Sequence, residues 1–201
     1  PGHGIQLKRG AQAGRLVVPS DHTIGPDGST SGIFGCQVVY SDDRGATWQL
    51  GAIQSTTNNL APNENLAVEL VAPAPDGGSY LYFNSRESGS VAGTRAQGWS
   101  TNGGTSYAGL LTNNTTFICP VVQGSVLRLR ATDEGASGNR ILFSCPNHAS
   151  SRVNMSIWSS TNEAFSWTRT KAIYSGPSAY SDMVRDSEGY VGLLYEKGTS
   201  S

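Results

Sequence analysis

An all-β chain, folded as a β-propeller in blades of four antiparallel strands, is what this sequence predicts. Two observations carry the prediction. One pattern, Ser-x-Asp/Asn-x-Gly/Ala-x-Ser/Thr-aromatic, is written three times: SDDRGATW from Ser41, STNGGTSY from Ser100 and STNEAFSW from Ser160, so the copies start 59 and 60 residues apart. Ahead of each copy lie three short apolar or β-branched runs parted by turn residues, which is how strands and hairpins are written. A fixed long period marks a repeat architecture. A repeating four-stranded antiparallel unit is a propeller blade.

The units follow in order. The first reads GIQLKRG, GRLVVPSD and CQVVYS before its turn; the second reads LAVELVAPA, SYLYFNSR and RAQGWS; the third reads SVLRLRATD, RILFSCPN and VNMSIWSS. A fourth opens with SDMVRDSEGYVGLLYEKG and stops. In the turn itself, Asp43 has a short side chain that accepts backbone N–H bonds two residues on. Gly45 supplies a permissive backbone angle, and Trp48 packs back between neighbouring sheets. Each turn thus closes a hairpin from a third strand to a fourth. At this period the 201 residues hold about three and a third blades. That is one incomplete propeller domain over residues 1–201, whose closure needs further blades; the opening PGHGIQL reads as the middle of a longer polypeptide.

Composition narrows the function. A net charge of −1 speaks against a nucleic-acid surface, and no apolar run is long enough for a membrane helix. His3, His22 and His148 show no ligand spacing, so neither a transition-metal site nor an organic cofactor is expected. Of the cysteines, Cys119 and Cys145 can pair and leave Cys36 over, or all three are buried free thiols. Sequons at Asn113, Asn114 and Asn154 tilt the reading toward secretion.

Antiparallel geometry selects one face. The start of a blade's first strand and the end of its second lie on the same side. Asp21, Arg86, Arg152 and Glu196 follow second strands, and Glu64 and Tyr180 precede first strands. One face therefore gathers arginines, glutamates and a tyrosine around the mouth of the axis. The loop SDHTIGPDGSTSGIF, residues 20–34, can contribute to a ligand pocket, with no role assigned to it.

These residues resemble a known family. The three turns, NENLAVEL followed by FNSR, SAYSDM and the late GLLYE together look like the sialidases (exo-α-neuraminidases), and the resemblance covers essentially the whole chain. It implies a six-bladed propeller that hydrolyses terminal sialic acids, of which this chain is similar to the carboxy-terminal part. By resemblance Tyr180 is the nucleophile and Glu64 its paired base. Arg86 and Arg152 are the second and third members of an arginine clamp on the sugar carboxylate, with Arg128, Arg130 and Arg140 near the latter. Glu196 steadies the first arginine. That arginine and the acid/base Asp belong to amino-terminal blades; neither Asp21 nor Asp43 substitutes, so the chain alone is expected to be inactive. The substrates implied are sialylated glycans, glycoproteins or gangliosides, carrying N-acetylneuraminic acid or Kdn. A competing reading is a non-catalytic propeller that binds glycans or proteins. The pairing of Tyr180 with Glu64 argues against it, because binding alone needs no activated phenol.

Overall fold

The computed structural model describes residues 2–24, 33–71, 77–89, 91 and 93–198. The fold is all-β. The first sheet has β1 (Ile5–Gln6), β2 (Leu16–Ile24), β3 (Ile33–Ser41) and β4 (Gln49–Ser55) in sequential order. The second has β5 (Pro62–Glu69), β6 (Leu81–Glu87), β7 (Arg95–Ser100) and β8 (Thr112–Asn114), again in order. The third runs from β9 (Ser125–Arg130) through β10 (Arg140–Pro146), β11 (Val153–Ser160) and β12 (Thr168–Arg185) to β13 (Val191–Lys197). All pairings are antiparallel. Together they form part of a propeller.

Several element boundaries differ from the sequence reading: Glu64 lies inside β5, Arg86 inside β6 and Glu196 inside β13, rather than before or after a strand. Tyr180 does not precede a strand; it lies inside β12, which serves two blades. Its first half pairs with β11 up to Pro177, and its second half pairs with β13 from Ser178. Pro177 sits at the hand-over, where a residue without an N–H is tolerated in a ladder. Asp21 likewise lies within β2, which continues to Ile24 opposite Ile33. Residues 20–24 and 33–34 are thus a hairpin rather than loop; residues 25–32 of that segment lie outside the described residues.

Apolar residues alternate along the strands and fill the spaces between sheets. Val17, Val38, Tyr40 and Ala52 of the first sheet pack on Ala67, Leu81 and Phe83 of the second. Leu66, Val68 and Tyr82 pack on Ile141, Phe143, Trp158 and Trp167. Cys119 and Cys145 are disulfide-bonded within this second core, and Cys36 is free and buried. Of the two cysteine readings left open above, the paired one holds.

The repeated turn has the same wiring three times. Ser41, Ser100 and Ser160 hydroxyls donate to Asp43, Asn102 and Asn162 at 2.7–2.9 Å. They accept from Gly45, Gly104 and Ala164 N–H at 2.8–3.0 Å. The Asp/Asn oxygen accepts from the N–H four residues on, not two, at 2.8–2.9 Å. The turn also grips the preceding sheet. Ala52 N–H donates to Gly104 O, and Arg15 Nη1 donates to Gly103 O and Thr105 Oγ1; Glu163 accepts from Val71 N–H and Arg128. Trp167 is accordingly 7% exposed, whereas Trp48, on a sheet face that nothing described covers, is 46% exposed.

Candidate active site

On the face away from those turns, β5 begins and β6 ends. The β5–β6 register shifts between Pro62 and Asn65, and the β12–β13 register shifts between Ser178 and Ser181. Glu64 and Tyr180 therefore both occupy irregularities that bend the strand and re-aim a side chain, a common device beside active sites. Asn63 secures the first: its Oδ1 accepts Glu64 N–H at 2.7 Å and its Nδ2 donates to Ser88 Oγ at 3.0 Å.

Three side chains converge there. The Tyr180 hydroxyl donates to Glu64 Oε1 at 2.6 Å. Arg86 Nη1 donates to Glu64 Oε2 at 2.9 Å and to the Tyr180 oxygen at 3.0 Å. The phenol is thus held between a proton acceptor and a cation. Arg152 stands beside it with Cζ 5.6 Å from the ring centroid, and its Nη2 donates to Val121 O at 3.0 Å. Glu196 Oε2 accepts the backbone N–H of Tyr180 at 3.1 Å. A cavity of about 470 Å³ opens alongside, lined by Tyr180, Glu196, Gln123 and Tyr195 among others.

Burial, then the hydrogen bond and charge of Glu64, push the Tyr180 phenol above its ordinary pKa, against the opposing pull of Arg86 and Arg152. The phenol is therefore neutral at physiological pH, and an acceptor stands ready for its proton. All five residues singled out from sequence meet on this face. Arg128 does not: it pairs with Glu163 on the turn face at 2.5 Å. Asp43 is a turn residue and Asp21 a strand residue. Sequence reasoning missed Gln123, whose Oε1 accepts Ser181 N–H at 3.2 Å, and the fully buried Arg95. Neither stands at a position the repeat marks, so no pattern flagged them. Among the described residues, no cluster of His, Cys, Asp and Glu is arranged to hold a metal ion.

Residues 1–193 match the BNR repeat-like domain. The chain belongs to the BNR repeat-like family. Several curated proteins similar to it are named sialidases. The sialidase of Micromonospora viridifaciens is 35% identical over 98% of this chain and 28% of its own length. Human sialidase-3 is 27% identical over 99% of this chain and 53% of its own. Among solved structures, the Hadza microbial sialidase Hz136 superposes with a TM-score of 0.73 at 25% identity, covering 97% of this chain and 34% of that one. The intramolecular trans-sialidase of Ruminococcus gnavus superposes at 0.70 and 26% identity, covering 98% and 39%. This BNR-repeat chain therefore spans roughly a quarter to a half of the curated relatives it matches.

Proposed function

We propose that this chain carries the nucleophile side of a sialidase site, which releases terminal sialic acid from glycoconjugates with retention through a covalent tyrosyl intermediate. One observation carries the reading: the Tyr180 hydroxyl is bonded to Glu64 at 2.6 Å and to Arg86 at 3.0 Å. A sialic acid bears a carboxylate on its anomeric carbon. A neutral phenol approaches that carbon without the charge repulsion a carboxylate nucleophile meets, and tyrosine is the nucleophile where retaining glycosidases act on this sugar. Glu64 takes the phenol proton as the bond to the anomeric carbon forms. Arg86, with nitrogens beyond those spent on Glu64 and Tyr180, and Arg152 bind the sugar carboxylate in the forked manner of a guanidinium. Glu196 holds the Tyr180 backbone with one oxygen and offers the other to an arginine supplied from outside this chain. Leaving-group protonation also comes from outside, so the isolated chain is inactive and needs the remaining blades. The disulfide fits an oxidising compartment, and we place the enzyme outside the cytosol.

The test is hydrolysis of fluorogenic α-sialosides of N-acetylneuraminic acid and of Kdn by the full natural polypeptide, beside Tyr180→Phe. Turnover that collapses in the variant, with a sugar trapped on Tyr180 by a slow-leaving fluorinated substrate, is the expected result. No turnover of either sugar by the parent overturns the reading in favour of a glycan-binding propeller.

A further inference from the structure

Behind the site lies a side chain the mechanism does not use. Arg95 of β7 is 0% exposed and the bulkiest of the fully buried residues. It stands directly across the ladder from Arg86, so both side chains leave the same face of the second sheet. Its Nε donates to Asn84 Oδ1 at 2.7 Å and its Nη1 to Val122 O at 2.6 Å, while Nη2 is buried without a partner. A buried, incompletely bonded guanidinium opposes folding. An apolar side chain of similar length would fill this space without that penalty, so filling space does not explain an arginine here.

What the arginine grips does. Residues 121–123 are held at successive positions by three different strands or their ends. Arg152 bonds Val121 O at 3.0 Å, Arg95 bonds Val122 O, and Gln123 accepts the N–H of Ser181 at 3.2 Å. Ser181 follows Tyr180 directly, within the register shift that aims the phenol. The segment thus bridges the sheet that carries Glu64 and Arg86 to the strand that carries Tyr180. Burial lowers the Arg95 pKa to about 9, which still leaves a cation at neutral pH, able to make charge-assisted bonds.

We propose that Arg95 is a positioning residue for Tyr180: it anchors residues 121–123 from within the core, and Gln123 passes that anchoring to the Tyr180–Ser181 backbone. The kinetic arm of the test rests on the sialidase reading; the exchange arm does not. In the full polypeptide, Arg95→Met is expected to lower kcat by up to about 10²-fold, the scale of a small misplacement made away from the chemistry, with KM changed less than ~threefold. Gln123→Ala is expected to lower kcat as well. The double variant is expected to lose no more than the worse single, because both act through one segment. Amide exchange at Ser181 is expected to quicken by about tenfold or more in Arg95→Met, with the β10 amides unchanged. If Arg95→Met fails to fold, Arg95→Lys takes its place in both arms, keeping the cation while losing the fork. Parental kcat in a folded Arg95 variant, losses that multiply in the double variant, or unchanged Ser181 exchange each overturn the proposal. A parent without sialoside turnover counts against the sialidase reading alone, and Ser181 exchange then decides the role of Arg95 by itself.

Discussion

Replacing Glu64 by Gln separates the roles of a base from those of a mere neighbour. In the parent, one carboxylate serves two donors: Oε1 takes the Tyr180 hydroxyl at 2.6 Å and Oε2 takes Arg86 Nη1 at 2.9 Å. A carboxamide has only one acceptor end. Its oxygen turns to the Arg86 cation, and its N–H₂ then faces the phenol oxygen, which has no acceptor left for its proton. Loss of a positioned base lowers kcat by roughly 10² to 10⁴, or about 3 to 5.5 kcal/mol of barrier. The phenol responds in the opposite sense. Burial and Glu64 both raise its pKa in the parent, while Arg86 and Arg152 lower it. Without the Glu64 charge the phenol titrates at lower pH than in the parent. Glu64→Gln is therefore expected to carry a more acidic tyrosine and yet be the slower enzyme. The assay pairs sialoside kinetics with ultraviolet titration of tyrosinate, each read as a difference against Tyr180→Phe. A Glu64→Gln enzyme within ~threefold of parental kcat, or a phenol titrating at or above its parental position, refutes the assignment of Glu64 as the base.

Three further outcomes follow from the scaffold. Bonds from Thr47 first, then Ser41, hold Asp43 at a pKa of about 2, below 3.8; the stability this supplies is present above pH 3.8 and lost as pH falls toward 2. Asp43→Asn, which copies Asn102, removes that part of the acid dependence, as read by denaturant unfolding across the same window. Gly45 has φ of +92° with room for a methyl group, whose nearest neighbours would be Trp48 at 3.7 Å and Leu16 at 3.8 Å. Gly45→Ala is accordingly expected to lose about 1 kcal/mol through backbone conformation alone, and a larger loss in equilibrium unfolding contradicts that account. Cys145→Ala opens a loop closed over 26 residues, for which chain entropy predicts a loss of about 3.5 kcal/mol; Cys36→Ala, outside the bond, gains nothing from oxidising conditions and serves as the control.

What the sequence disclosed was whatever the repeat writes more than once. Ser41, Ser100 and Ser160 announce the same turn, and strand runs at constant offsets from it place Glu64, Arg86, Arg152, Tyr180 and Glu196 on one face by geometry alone. The specific identity of those five came from flanking words such as FNSR and SAYSDM, not from period. Features that occur once were opaque. Nothing in the sequence says that β12 passes from one blade to the next through Pro177, since a strand that changes partners has the same local pattern as two strands in a row. Arg95 reads as an ordinary surface cation opening RAQGWS, because burial of a charge is decided by partners distant in sequence, here Asn84 and Val122. The reach of the turn to the sheet before it was hidden for the same reason. Gly103 O and Glu163 find Arg15 and Val71 only once the blades stack.

That stacking is what makes the site. Glu64 and Tyr180 are 116 residues apart and lie in different blades, so no single blade contains both the carboxylate and the phenol. Their 2.6 Å contact joins the second sheet to the third, so it depends on the spacing of those two sheets, which is held on the opposite face too. The clasps there are charged and join sheets: Arg9 pairs with Glu69 of the second sheet at 2.8 Å and with Asp133 beside the third at 2.6 Å, and Arg128 of the third donates to Glu69 O of the second at 2.7 Å. Glu69 is in turn bonded by the backbone N–H groups of Lys8 and Arg9, so a single carboxylate ties the start of the first unit to the second. An isolated surface pair of this kind contributes little, but these are partly buried and linked, and loosening one shifts a sheet rather than a side chain. The Glu64–Tyr180–Arg86 geometry and the turn wiring are therefore two ends of one construction: the repeated turn fixes blade spacing on one face so that residues contributed once each can meet on the other.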